Sequence, residues 1–123
     1  MSPINFERLR ANYPEYGEVW DALENWFSRN WRKKYAELSL LLRAMPQVDR
    51  ALLVLALSAM ADEGMLSVAY RVKAPGGYLL EDSFDDPTMI PKKLPDRDMS
   101  GTIKREESDI VTGYKWELVD AVA

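Results

Sequence analysis

The stretch that decides the fold runs from residue 48 to residue 80 and reads VDRALLVLALSAMADEGMLSVAYRVKAPGGYLL. Its first half is apolar over residues 51–61, with a single serine inside the run. A run of this length is too short to cross a bilayer and is typical of a buried helix, which we expect over residues 48–63. Gly64 follows directly and suits the left-handed conformation that ends many helices.

The second half of the stretch has the two-residue period of a β-strand. Apolar and polar residues alternate over 66–73, which predicts a strand with one buried face. The apolar residues expected on that face are Leu66, Val68, Tyr70 and Val72. Ala74-Pro75-Gly76-Gly77 supplies turn residues, with positive φ at Gly76, or at Gly77 if the turn is shifted by one residue. Residues 78–80 then return as a second strand of a hairpin.

Three more helices are expected before this stretch. Ser2-Pro3 fits the N-cap and first position of helix one. Helix two is expected to begin near Glu15, and helix three to carry residues 35–45 at helical spacing. A tight turn at residues 45–47 joins the last two helices, and a hairpin follows them, which is the order of a winged helix-turn-helix.

The C-terminal third adds one strand to this scheme. Residues 81–101 are polar and contain three prolines, so we expect mostly loop there. Alternation from Ile110 to Trp116 predicts a third strand that closes the sheet. The predicted fold class is therefore α+β, with N-terminal helices followed by a winged-helix-like unit with a small antiparallel sheet. We expect a single domain comprising a helical extension at 1–34, the winged-helix-like unit at 35–117 and a tail at 118–123.

Composition limits the function more than any motif does. The 123 residues include no histidine and no cysteine, which excludes a Ser-His-Asp triad, a Cys-His pair and nearly every zinc site. We therefore expect no enzyme, no catalytic residue, no cofactor and no metal site. With no apolar signal core at the N-terminus, we expect a cytoplasmic protein that does not enter a membrane. Residues 81–123 carry 11 acidic and 6 basic side chains, which does not favour a broad phosphate-binding surface.

Two groups of residues are candidates for binding. Aromatic residues dominate interface hot spots, so Trp20, Trp26 and Phe27 on helix two could bind a protein; packing in the core is the alternative and is favoured. A basic joint between helices two and three, with Trp31 inside it, could bind nucleic acid together with two hairpin residues, or could be an ordinary solvated turn. These nucleic-acid candidates are Arg29, Arg32, Lys33, Lys34, Arg71 and Lys73.

An acidic loop follows the second strand of the hairpin. Its acidic residues are Glu81, Asp82, Asp85 and Asp86. Their spacing lacks the central glycine and distal glutamate of a calcium loop, which favours a solvated loop over a cation site. Placed against a basic partner, the same residues could imitate the charge of phosphate.

Residues 57–72, which read LSAMADEGMLSVAYRV, resemble part of a winged-helix-like accessory module of prokaryotic antiphage and conflict systems. In that group a helix ending in Gly-Leu-Leu leads to a Tyr-Arg-Val strand and a cysteine-containing turn. Residues 84–87 and 109–114 resemble the group's later acidic and strand segments. The turn at residues 74–77 has no cysteine, so a metal site of such relatives is not carried over. The resemblance covers residues 35–117 and implies an adaptor with a protein partner.

Two other functions stay open beside the adaptor. One is a DNA-binding winged-helix regulator that uses the basic joint and the hairpin. The other is a phage-encoded inhibitor whose acidic C-terminal third occupies a nucleic-acid channel of a defence nuclease. Few charges lie on the helix at 48–63, so we expect it to be buried on most sides, and we expect any nucleic-acid binding to be weak and non-specific.

Overall fold

The computed structural model of the protein describes residues 4–96 and 101–117. Those residues form four α-helices, six β-strands and several short 3₁₀ turns, and the helices precede most of the strands. The predicted α+β class is confirmed. The chain divides into two compact units: the first comprises Met1–Ser67 and Tyr114–Ala123, and the second comprises Val68–Gly113.

The described helices all belong to the first unit. They are α1 (Phe6–Asn12), α2 (Gly17–Asn30), α3 (Leu38–Ala44) and α4 (Arg50–Asp62). The Asn5 side chain caps α1 and the Asp49 side chain caps α4, each accepting a backbone N–H of the first turn. The helix start expected at Ser2-Pro3 lies outside the described residues, and α1 begins at Phe6. Gly64 has a φ of 75°, so the predicted left-handed end of α4 is confirmed.

A short strand replaces the expected first turn of helix three. Residues Tyr35–Glu37 form β1, and α3 begins only at Leu38. The preceding 3₁₀ turn, Trp31–Lys33, ends at Lys34, whose φ is 63°. This left-handed residue changes the direction of the chain, and the helical spacing of Tyr35 and Leu38 did not reveal the change.

One hydrophobic core holds the first unit together. It is built from all four helices, with Leu66 and the residues Tyr114 and Trp116 added to it. The first two helices thus share a core with α3 and α4. Apolar stripes on successive helices reduce their exposed area best when they pack on one another, whatever the sequence boundary between them. Among the described residues, no helix combines the length and the apolar composition needed to cross a membrane.

The remaining strands are β2 (Ser67–Lys73), β3 (Leu79–Phe84), β4 (Lys93–Asp96), β5 (Gly101–Lys104) and β6 (Asp109–Lys115). One sheet has the order β1-β6-β2-β3, and β4 pairs with β5 in a separate antiparallel hairpin. The predicted third strand is confirmed as β6, which lies between β1 and β2. The loop expected over residues 81–101 is wrong, because β3 continues to Phe84 and the β4–β5 hairpin begins within it.

The second unit has a small core of its own. Its buried residues are Val72, Ala74, Leu80, Ile90, Leu94 and Ile103. The hydroxyl of Tyr78 donates a hydrogen bond to the carboxylate of buried Asp96. Each of β4 and β5 contributes one buried aliphatic side chain to this core, Leu94 and Ile103 respectively. Strands this short give little alternation to read in a sequence.

The inward face of β2 differs from the expected one. Val68 is 38% exposed, whereas Ala69 and Val72 are fully buried. The pairing with β3 becomes irregular after Arg71. Arg71 pairs with Ser83 and Lys73 pairs with Leu79, so an advance of two residues on β2 corresponds to four residues on β3. The Arg71 guanidinium donates hydrogen bonds of 2.8 and 2.6 Å to the carbonyl oxygen of Leu80, within this irregularity. The extra residues of this bulge lie on β3, so it interrupts the alternation of β3 and does not explain the changed face of β2.

The residue with positive φ in the turn of the β2–β3 hairpin is Gly77. The N–H of Gly77 donates to the Ala74 carbonyl at 2.8 Å, and the N–H of Ala74 donates to the Tyr78 carbonyl at 2.8 Å. Gly77 has a φ of 91°, while Gly76 does not have positive φ. This is a three-residue hairpin loop with a left-handed residue at its end. The first expectation, positive φ at Gly76, is wrong, and the shifted alternative is correct.

We expect Gly77→Ala to destabilise the protein by about 1–2 kcal/mol, the cost of holding an L-residue in the left-handed region. Gly17→Ala is a matched control, because Gly17 has a φ of −49° and an added Cβ would meet nothing within 4 Å. That control should stabilise by about 0.4–1 kcal/mol. Urea unfolding measures both changes. A Gly77→Ala variant as stable as the parent would contradict the observed turn.

Candidate functional site

The aromatic residues of α2 lie in the core of the first unit. Trp20, Trp26 and Phe27 are all buried. The rings of Trp26 and Phe27 meet edge to face at 5.0 Å, and Phe27 also contacts the ring of Trp116 at 4.9 Å. Their side chains are used for packing, which is the alternative that the sequence favoured over a protein-binding surface.

The basic joint is exposed in the first unit. The structure places the side chains of Arg29, Arg32, Lys33 and Lys34 in solvent. The Arg32 guanidinium lies 4.9 Å from the centroid of the Trp31 ring, and the Trp31 carbonyl accepts a hydrogen bond from Trp116 Nε1 at 2.7 Å. A cation of the same chain therefore contacts the Trp31 indole, the aromatic ring within the basic joint.

The two hairpin candidates lie in the second unit and are half-buried. The guanidinium of Arg71 binds the Leu80 carbonyl within the bulge, so it supports the hairpin. Its assignment as a nucleic-acid contact stays a prediction. Lys73 lies at the end of β2, next to the turn.

Two residues of the acidic group lie on a strand, and the other two lie after it. Glu81 and Asp82 lie on β3, which corrects their assignment to a loop, while Asp85 and Asp86 follow the strand. The Asp86 carboxylate accepts hydrogen bonds from the backbone N–H and the hydroxyl of Thr88, both at 2.8 Å, and these bonds lower the pKa of Asp86. Within residues 4–96 and 101–117, no three Asp, Glu, His or Cys side chains come together in a way that could hold a metal ion.

A groove of about 730 Å³ lies in the first unit. We call it the acidic groove, and it lies between the start of α2 and the residues that lead into α4. Its apolar lining residues are Tyr16, Val19, Ala22, Val48 and Leu52. Four exposed carboxylates also line it: Glu15, Glu18, Asp21 and Asp49. Among the residues that the structure describes, no lysine or arginine lines it.

The four carboxylates of the acidic groove are not equivalent. Asp21 forms an ion pair with Arg10 at 2.8 Å, and Asp49 accepts the Leu52 N–H as the cap of α4. Glu15 and Glu18 form no ion pair with any described residue. A basic group that enters the groove would therefore meet two carboxylates that no cation already neutralises.

The exposed face of α4 is mostly apolar. Leu52 is 40% exposed and Leu55 is 50% exposed, so the helix is less buried than its sequence indicated. Of these two leucines, Leu52 lines the acidic groove and Leu55 does not. Arg50 is the single exposed cation of the helix, and residues that read base edges are polar. This face is suited to an apolar partner surface more than to a DNA groove.

A second concave feature, of about 410 Å³, lies in the second unit and is basic. We call it the cationic notch; its basic residues are Lys92, Lys93, Lys104 and Arg105, and Glu106 is the one acid that lines it. Lys93 and Lys104 are direct partners in the β4–β5 ladder. Sequence reasoning missed this cluster, although the pairs Lys92-Lys93 and Lys104-Arg105 were visible, because the charge was averaged over an acidic third of the chain.

Comparisons with protein-family models, with curated proteins and with solved structures give no match for this chain. The resemblance to a winged-helix-like accessory module therefore stays a prediction. The functional argument depends on the surfaces of the chain itself.

Proposed function

We propose that this chain is a non-enzymatic protein-interaction domain that works as an adaptor, and that the acidic groove is where it binds its partner. The observation that supports this is one groove that combines apolar side chains with two carboxylates, Glu15 and Glu18, which have no ion-pair partner among the described residues. The partner segment it fits is basic and amphipathic, with apolar side chains on one side and lysine or arginine at their flanks.

Apolar contacts and ion pairs would contribute differently to binding in such a complex. Apolar contact with Leu52 and Val48 supplies most of the affinity, since removing apolar surface from water contributes roughly 25 cal/mol per Å². The carboxylates contribute less to affinity, because exposed ion pairs are worth about 0.2–1 kcal/mol each. Their main effect is on the rate of association and on the choice of partner.

The sequence resemblance supports a role for this function in a prokaryotic defence system. The order α3, tight turn, α4, hairpin agrees with the order expected of the winged-helix-like module, and the resemblance places that module in prokaryotic defence systems. We propose the same setting here, in the cytoplasm. The chain has no histidine or cysteine, which supports a binding role.

The two rival functions receive less support from the surfaces. A DNA-reading regulator needs polar residues on the exposed face of α4, where Leu52 and Leu55 lie instead. An acidic inhibitor needs a surface of one sign in the C-terminal third, and the cationic notch interrupts that surface.

Selection from a random peptide display library tests the proposal. We expect the selected peptides to combine apolar residues with lysine and arginine. Leu52→Ser should weaken their binding by about 10-fold, because the variant loses a partly exposed leucine inside the groove. Isothermal titration calorimetry with one selected peptide measures the change.

Leu55→Ser is the matched control for that experiment. Leu55 lies on the same helix and is also exposed, but it does not line the acidic groove. We expect this variant to bind the peptide as the parent does. Equal loss in both variants, or a library that gives acidic peptides, would contradict the proposed function.

A further inference from the structure

The cationic notch gathers basic side chains in the most acidic part of the chain. Residues 81–123 contain 6 basic side chains, and the notch holds Lys92, Lys93, Lys104 and Arg105 from that set. None of these four forms an ion pair with a described residue.

The β4–β5 ladder holds two of these charges at a fixed separation. Lys93 pairs with Lys104 directly across the ladder, and the next pair is Leu94 with Ile103. Both of those aliphatic side chains are buried, and neighbouring residues on a strand point to opposite faces, so the two lysines project away from the core of the second unit. Directly opposed like charges destabilise a sheet. An anion between them would remove that repulsion.

Arg105 is positioned by contacts of its own. Its backbone N–H donates to the Lys92 carbonyl at 2.8 Å, and its guanidinium donates to the Ile90 carbonyl at 2.7 Å. A guanidinium has five N–H donors, so this contact orients the group and leaves donors for a ligand oxygen.

We propose that the cationic notch binds phosphate groups of a nucleic-acid backbone without reading bases. Lysines that are direct partners in an antiparallel ladder have Cα atoms roughly 4.5–5.5 Å apart, so their flexible side chains can reach phosphates of the same strand. Lysine and arginine are the side chains that neutralise phosphate. The described residues that line the notch include no aromatic, asparagine or glutamine side chain, so they offer no group that stacks on a base or reads adenine. This site is separate from the acidic groove, and its ligand is independent of the proposed protein partner.

Fluorescence anisotropy with a labelled single strand of about 20 nucleotides tests the proposal, with KCl varied over about 50–200 mM. The parent should bind with a Kd of about 10⁻⁶–10⁻⁴ M at physiological salt, the range of non-specific binding. Lys93→Gln/Lys104→Gln should lower affinity about 10-fold at the lowest salt. It should also reduce the slope of log K against log salt by about 1.4, because two phosphate contacts are lost.

Arg32→Gln/Lys33→Gln is the matched control, since it removes two exposed positive charges from the basic joint. We expect it to bind as the parent does. A notch variant that binds like the parent, or a control that loses the affinity instead, would overturn the proposal. Displacement of the DNA by polyglutamate as readily as by unlabelled DNA would overturn it too, because the notch would then bind anions in general.

Thermal unfolding separates lost binding from lost folding. Lys93→Gln/Lys104→Gln should have a higher Tm than the parent, because the opposed like charges are gone. Weaker DNA binding together with a higher Tm supports the proposal. An unchanged or lower Tm would contradict the repulsion on which it depends.

Discussion

Trp116→Ala is expected to lower the free energy of unfolding by about 3–5 kcal/mol, the usual loss for a buried aromatic side chain. Trp116 follows β6 and is buried in the core of the first unit. Its ring contacts those of Phe27 at 4.9 Å and Trp26 at 6.0 Å, both edge to face. Its Nε1 donates to the Trp31 carbonyl, so the substitution also leaves that carbonyl without its donor.

Trp116→Phe separates the packing of the ring from its hydrogen bond. The smaller ring keeps much of the apolar contact but has no N–H group, so we expect a loss of about 1–3 kcal/mol. Urea unfolding followed by circular dichroism measures both variants. A Trp116→Ala variant within about 0.5 kcal/mol of the parent, as for a surface substitution, would show that this residue is not part of the core.

Leu57→Ala is expected to destabilise by about 2–5 kcal/mol. The Leu57 side chain is fully buried on α4, inside the core of the first unit. The loss has two parts, the apolar surface that the methyl groups no longer bury and the cavity that they leave. The same urea titration measures it.

Leu55→Ala is the control for this second variant. Leu55 lies on the same helix two residues earlier and is half exposed, so the chemical change and the helix propensities are the same. We expect its unfolding free energy to stay within about 0.5 kcal/mol of the parent. Similar losses in both variants would mean that α4 is rotated relative to the observed structure.

The parts of the fold that the sequence predicts are those with strong local signals. The apolar run over residues 51–61 predicted the buried helix α4, and Gly64 predicted where it ends; Leu53 and Leu57 within that run are fully buried. The alternation of apolar and polar residues from Ile110 to Trp116 predicted β6. Short strands carry no such signal: β4 and β5 each bury one aliphatic side chain, Leu94 or Ile103, and neither strand was expected.

The candidate surfaces depend on contacts between distant residues, which explains why they were not predicted. Glu18 and Leu52 line the same groove although 34 residues separate them along the chain. Lys93 and Lys104 become neighbours only through the register of one hairpin. The aromatic residues of α2 were candidates for both the core and a binding surface, because a single stripe cannot tell a core face from a binding face.

The central claim is that the acidic groove binds a basic, amphipathic protein segment, and NMR chemical-shift mapping tests it most directly. The ¹⁵N-labelled protein is titrated to saturation with a peptide selected from the display library. We expect the largest shifts at backbone amides of Gly17, Val19, Val48 and Leu52, and none at Leu94 in the second unit. Shifts confined to the second unit, or spread evenly over the first with none concentrated at the groove, would contradict the claim.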